Sequence, residues 1–175
     1  MAEIEAIETP DATTEPQAYR EALLAVLGDR DPLEVLAELP ERVRALTRGR
    51  SAGDLERRPA DGEWSAAEVM GHLVDVDVVF GFRLRLVLTD DRPSYPGYDE
   101  KLWSRLPKPP GDQLCTILEA LRGYNLWTFR SIPRSDWSRA GVHAEQGEET
   151  VDVMLRKLAG HDLTHLNQLE RALAP

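Results

Sequence analysis

The amino-acid sequence predicts an all-α protein, an antiparallel four-helix bundle with long crossover connections. Three observations carry this reading. Four long segments repeat apolar residues at helical spacing. Strand-type alternation never persists between turn residues. The connections between the long segments are rich in Pro and Gly and far longer than tight turns. At 175 residues, with 42% hydrophobic content, the chain suits one domain with a sizeable core.

Residues 1–16 hold acids, Pro and Thr with no basic residue, and read as a flexible acidic N-terminal tail. The bundle domain is expected over 17–175. A short helix is expected near 19–27. Asp31 is then an N-cap with Pro32 at the first helical position of a helix over 32–47. Pro40 removes one hydrogen bond of that helix and predicts a bend there. Gly49 and the run 51–53 end it, and LERRPADGE reads as a polar connection. Ser65 and Glu68 stand at the spacing of a capping box, opening a helix over 66–88. Val69, His72, Val76, Val79 and Arg83 share one face of it.

Residues 89–112 carry five prolines and two glycines, and read as a long connection with one helical turn around 99–104. Loops of this length are uncommon unless they serve function or cover something. The third long helix is expected over 112–132, with Leu114, Ile117, Leu121, Tyr124 and Thr128 on one face, stopped by Pro133. Residues 133–150 read as a second connection. Thr150 caps the last helix, 151–173, whose stripe Met154, Leu158, His161, His165, Gln168 and Ala172 faces inward.

The formal net charge is −10. Such a chain repels phosphate backbones and anionic lipid surfaces, so neither nucleic acid nor membrane is an expected partner. The basic run RVRALTRGR (42–50) reads as a solvated helix end, where cations complement the dipole. No stretch approaches the ~20 apolar residues of a membrane span. The N-terminus lacks a basic n-region and an apolar h-region, and the single Cys115, read as a packing residue, rules out an intrachain disulfide. A cytoplasmic location is the default expectation.

His161 and His165, four residues apart, stand one above the other on a helix. An isolated pair of this kind is commonly surface or core packing. Here the pair lies on an inward stripe, and His72 lies on the inward face of another helix. Unpaired imidazoles in a core are costly, and one cation satisfies all three. His72, His161 and His165 are therefore the candidate metal ligands. Three ligands leave a position open for water or substrate, as catalytic sites require. Imidazole donors favour Zn, Ni, Fe or Cu over Mg or Ca; Zn or Ni is expected here, with Fe as a further option.

Asp75, one turn after His72, is a candidate catalytic or orienting group, with simple helix-surface charge as the other reading for it and for Asp77. Asp162 and Gln168 lie near the pair. His143 is a candidate acid–base group at a pocket mouth, or an exposed loop histidine. Arg83 lies about 16 Å along the helix from His72 and is read as pairing with an acid such as Asp99, or as binding an anionic substrate group. Trp64, Trp103 and Trp137 are read as closing the core.

GEWSAAEVMGHLVDVD, RLRLVLTDDRPSYPGYDEKLW and DWSRAGVHAEQGEETVDVMLRKLAGHDLTHLNQL together resemble the DinB-like superfamily, from about residue 20 to the end. The resemblance implies a four-helix bundle with a long crossover and a divalent metal on three histidines, which fall at His72, His161 and His165. Members include bacillithiol S-transferases and mycothiol-dependent maleylpyruvate isomerases, which implies a low-molecular-weight thiol as co-substrate and a small-molecule substrate. Asp77 stands where similar proteins often have Glu. A homodimer is an expectation from the same resemblance. The preferred function is a metal-dependent thiol S-transferase. The alternatives are a hydrolase using metal-bound hydroxide and a non-catalytic metal- or small-molecule-binding protein.

Overall fold

The structure is a computed structural model and describes residues 4–174. Its elements in order are α1 (Pro16–Leu27), α2 (Pro32–Thr47), α3 (Ala52–Glu56), α4 (Ala66–Thr89), β1 (Ser94–Tyr95), α5 (Glu100–Trp103), α6 (Gly111–Ser131), a 3-10 turn (Arg134–Ser138), β2 (Ala140–His143), β3 (Gly147–Thr150) and α7 (Val151–Ala172). None of the helices is long and apolar enough to cross a membrane.

The helix starts follow from local chemistry. The Asp31 carboxylate accepts from the backbone N–H of Leu33, opening α2, which runs on through Pro40. The Ser65–Glu68 box is closed in both directions at the start of α4. A second box, Ser51–Asp54, opens the short α3 inside the stretch expected to be connection.

Two core clusters fix the helix directions. At one end the C-terminal halves of α2 and α7 (Leu39, Val43, Leu166, Leu169) meet the N-terminal halves of α4 and α6 (Val69, Leu73, Leu114, Leu118). At the other end Leu36, Met154 and Leu158 meet Phe80, Leu84, Leu126 and Phe129. So α2 and α7 run one way, and α4 and α6 the other. Each of α2 and α4 packs on both α6 and α7, and α1 lies on α7. Because α4 and α6 are parallel neighbours, the segment 90–110 must travel the bundle's length, a helix of this size spanning about 36 Å. That is the long crossover, and α5 sits in it.

Three findings depart from the sequence reading. The connection 133–150 contains a hairpin, β2 with antiparallel β3, and β1 adds in parallel to β2. These strands hold two to four residues and are paired by distant partners, so no local alternation announces them. The buried face of α6 is Leu114, Leu118, Arg122, Asn125 and Phe129, which leaves Tyr124 exposed. The expected face is rotated, with Ile117 and Tyr124 exposed, because Arg122 and Asn125 are buried instead. The segment read as a tail touches the bundle: Ile7 N–H donates to Asn167 Oδ1, and Asn167 Nδ2 donates to the Glu5 carbonyl. Residues 1–3 of that tail, and Pro175 at the end of the domain, lie outside the described residues.

Candidate metal centre

His72 projects from the first half of α4, and His161 and His165 from one face of the antiparallel α7. One ring nitrogen from each lies within 4.8 Å of the others. His72 Nε2 and His161 Nε2 are 3.0 Å apart, and the three ring centroids are separated by 4.2 to 5.1 Å. His165 Nδ1–H donates to Gln168 Oε1 at 2.7 Å, which leaves Nε2 with a bare lone pair for a cation. His161 Nδ1 is buried with no hydrogen-bond partner, and its nearest acid oxygen is Asp162 Oδ1 at 3.8 Å. Trp64 packs on His72 and stacks over His165, so it walls the centre as well as closing the core.

Burial, reinforced by the neighbouring histidines, holds His72 well below the usual imidazole range. The same causes, burial first, push His165 down to about 3. His72 and His165 are therefore poor hosts for protons, and imidazoles crowded this closely are good hosts for a divalent transition metal. The residues present fit such an ion, which His72, His161 and His165 would hold.

Glu100, at the start of α5, brings Oε2 to 3.9 Å from His72 Nε2, and half of its side chain is exposed. The sequence reading missed it. Asp99, which caps α5 through the Leu102 N–H, was the available local signal, but only the crossover's path carries Glu100 to the histidines. Both Glu100 and His161 border a cavity of about 470 Å³, lined on its apolar side by Leu23, Val76, Phe80 and Leu158.

The other candidates fall as follows. Asp75 is salt-bridged to Lys108 at 3.1 Å and is hydrogen-bonded to none of the three rings among the described residues. His143 is buried and lines the cavity, but its Nδ1 accepts from the Glu145 and Gln146 backbone N–H groups. That leaves Nε2 as the nitrogen carrying its proton. Burial, followed by the charge of Arg83, pushes His143 down to about 4. Arg83 does not pair with Asp99; it donates to the Pro96 carbonyl at 2.7 Å and lies over the Tyr95 ring. Trp103 packs on Tyr98, and Trp137 takes the Arg134 guanidinium over its face.

Asp77 is fully buried beside Arg122, whose Nε is 3.0 Å from both carboxylate oxygens. The same guanidinium donates to Asp162 on α7 and to the Leu36 carbonyl on α2. Asn125 donates to Asp77 Oδ1 at 3.0 Å. Arg122 thus ties all four long helices together, its partner Asp162 stands next to His161 in sequence, and its charge holds the Asp162 carboxyl below the usual range against the effect of burial.

Fold and centre together define a helical bundle with a three-histidine cluster, one member of which, His161, borders an adjoining cavity. The chain belongs to the DinB superfamily, whose defining pattern matches residues 36–169. It is similar to the Bacillus subtilis protein named "Putative metal-dependent hydrolase YfiT", at 26% identity over 152 residues, covering 81% of this chain and 83% of that one. It is also similar to "Putative metal-dependent hydrolase OB0413" of Oceanobacillus iheyensis, at 26% identity over 123 residues, covering 69% and 71%. The solved structure of the Bacillus subtilis protein, described as "a probable metal-dependent hydrolase with an unusual four-helix bundle topology", superposes with a TM-score of 0.75. The match covers 98% of this chain and 93% of the other at 20% identity, and it shows a shared fold.

Proposed function

We propose that this protein is a metal-dependent enzyme that activates a low-molecular-weight thiol for transfer to an electrophilic small molecule. The observation that carries the reading is the convergence of His72, His161 and His165 beside a cavity bordered by His161 and Glu100. A divalent metal held there supplies Lewis-acid chemistry and lowers the pKa of a bound thiol or water. The three neutral imidazoles add no negative charge of their own, which favours an anionic nucleophile. Gln168 fixes the tautomer of His165. The Glu100 carboxylate stands where it can take the proton the nucleophile gives up. The apolar wall of Val76, Phe80 and Leu158 holds the substrate's carbon body and excludes water.

Hydrolysis is the second reading, favoured by Glu100 as a base for water and by the names of the relatives. The test is a screen of the metal-loaded protein with several thiols and a chromogenic electrophile, beside a chromogenic ester without thiol. Thiol-dependent conjugate formation that disappears in His161→Ala supports transfer. Thiol-independent ester cleavage with the same dependence moves the assignment to hydrolysis. Turnover of neither leaves a binding protein.

A further inference from the structure

Beyond the histidines, two cations flank one buried carboxylate, and one of them shares the cavity wall with a third cation, Arg83. Glu149 is 2% exposed. Lys157 Nζ donates to it and to Gln146 Oε1, and Arg20 Nη2 lies 3.6 Å from it. Arg83 approaches from α4 and makes no ion pair with any carboxylate among the described residues. Of these cations, Arg83 and Lys157 line the cavity. Arg83 spends one N–H on the Pro96 carbonyl, and Lys157 spends two on its two partners. Four guanidinium donors and one ammonium donor are therefore left for a guest. The acids that also line the cavity, Asp11, Asp99, Glu100 and Glu145, are all exposed, so water screens their charge.

Resting on the thiol-transfer reading above, we propose that this wall is an anion subsite in which Arg83 and Lys157 bind a carboxylate- or phosphate-type group of a reactant whose reacting end lies at the histidines. Lys157 is four residues before His161, and Arg83 eleven after His72 on an antiparallel helix, so both lie in the same direction from the cluster. The axial offsets are about 6 and 16 Å. The guest is thus an elongated molecule with an apolar middle against Val76, Phe80 and Leu158, and an anion one to three helical turns from the reacting atom. Arg83 offers the planar fork and Lys157 a point charge. The anion can belong to the electrophile or to the thiol.

The test is equilibrium binding of 4-phenylbutyrate and of its uncharged amide to the full chain, after chelator treatment and after zinc loading. The acid is expected to bind roughly ten- to a hundredfold more tightly than the amide in both forms, the range of a charge-assisted hydrogen bond in a partly buried site. Arg83→Gln and Lys157→Met should each erase most of that preference, and Arg83→Lys should keep part of it, with circular-dichroism melts confirming folded variants. Equal affinity for acid and amide, including binding of neither, overturns the subsite, as does a preference that survives both substitutions. Steady-state kinetics with carboxylated and uncharged partners then locate the anion. A raised KM in Arg83→Gln for the carboxylated electrophile alone puts it there, for the carboxylated thiol alone puts it on the thiol, and for neither contradicts the proposal. The chelator-treated arm reads out even if the metal reading fails, so the two failures are distinct.

Discussion

Replacing Arg122 by Met should be among the most damaging single changes outside the three histidines. The side chain is 1% exposed, and so are the two aspartates it joins, Asp77 and Asp162. Deleting the cation strands two carboxylates in the core and frees the Leu36 carbonyl. Breaking a buried pair by removing one partner costs about 3–5 kcal/mol. That is a large fraction of the roughly 5–15 kcal/mol that holds a domain together. For a chain of this size each kcal/mol moves Tm by about 2–4 °C, so the expected fall is about 6–20 °C. The assay is urea unfolding followed by circular dichroism at pH 7, on chelator-treated protein so that bound metal cannot mask the loss. A cycle with Asp77→Asn should return a coupling of about 1–3 kcal/mol. A loss below about 1 kcal/mol, or no coupling, would refute the claim that these charges are buried and mutually dependent.

Gly160 lets α7 approach α1 closely: a Cβ there would sit 2.6 Å from the Leu23 carbonyl carbon, inside the backbone. Gly160→Ala should cost about 1–3 kcal/mol in urea melts, with α1 displaced and neighbouring His161 shifted. Gln168→Leu leaves His165 Nδ1 without its acceptor and should weaken zinc binding by about 10–100-fold in competition with a chromogenic chelator, with little change in Tm of the metal-free protein. His143 is held at about 4, below its ordinary 6.5, chiefly by burial. The unfolded chain therefore takes up this proton first, and stability falls as pH drops from 6.5 towards 4. His143→Asn keeps an acceptor for the turn N–H groups and should flatten the stability profile in that window. An unchanged profile would show that the ring titrates normally.

Much of the fold was legible because its signals are local. Asp31–Pro32 and Ser65–Glu68 opened their helices where the sequence places them, and the last helix matched within a residue. The three-histidine cluster was legible because His161 and His165 share one helix face and His72 lies on an inward stripe. What stayed hidden depends on partners far away in sequence. Arg122 reads as a surface cation until Asp77, 45 residues earlier, and Asp162, 40 later, are brought to it. Glu100 reads as a solvated acid until the crossover lays α5 beside His72. The hairpin 140–150 buries two polar side chains, His143 and Glu149, and little apolar surface, so no hydrophobic alternation marks it.

The proposed function depends on one divalent ion being held by His72, His161 and His165. Elemental analysis of the protein, purified without chelator or affinity tag, should find close to one divalent transition-metal ion per chain. The triple variant His72→Ala, His161→Ala, His165→Ala, folded by circular dichroism, should carry almost none. Equal metal content in the two proteins would contradict the account.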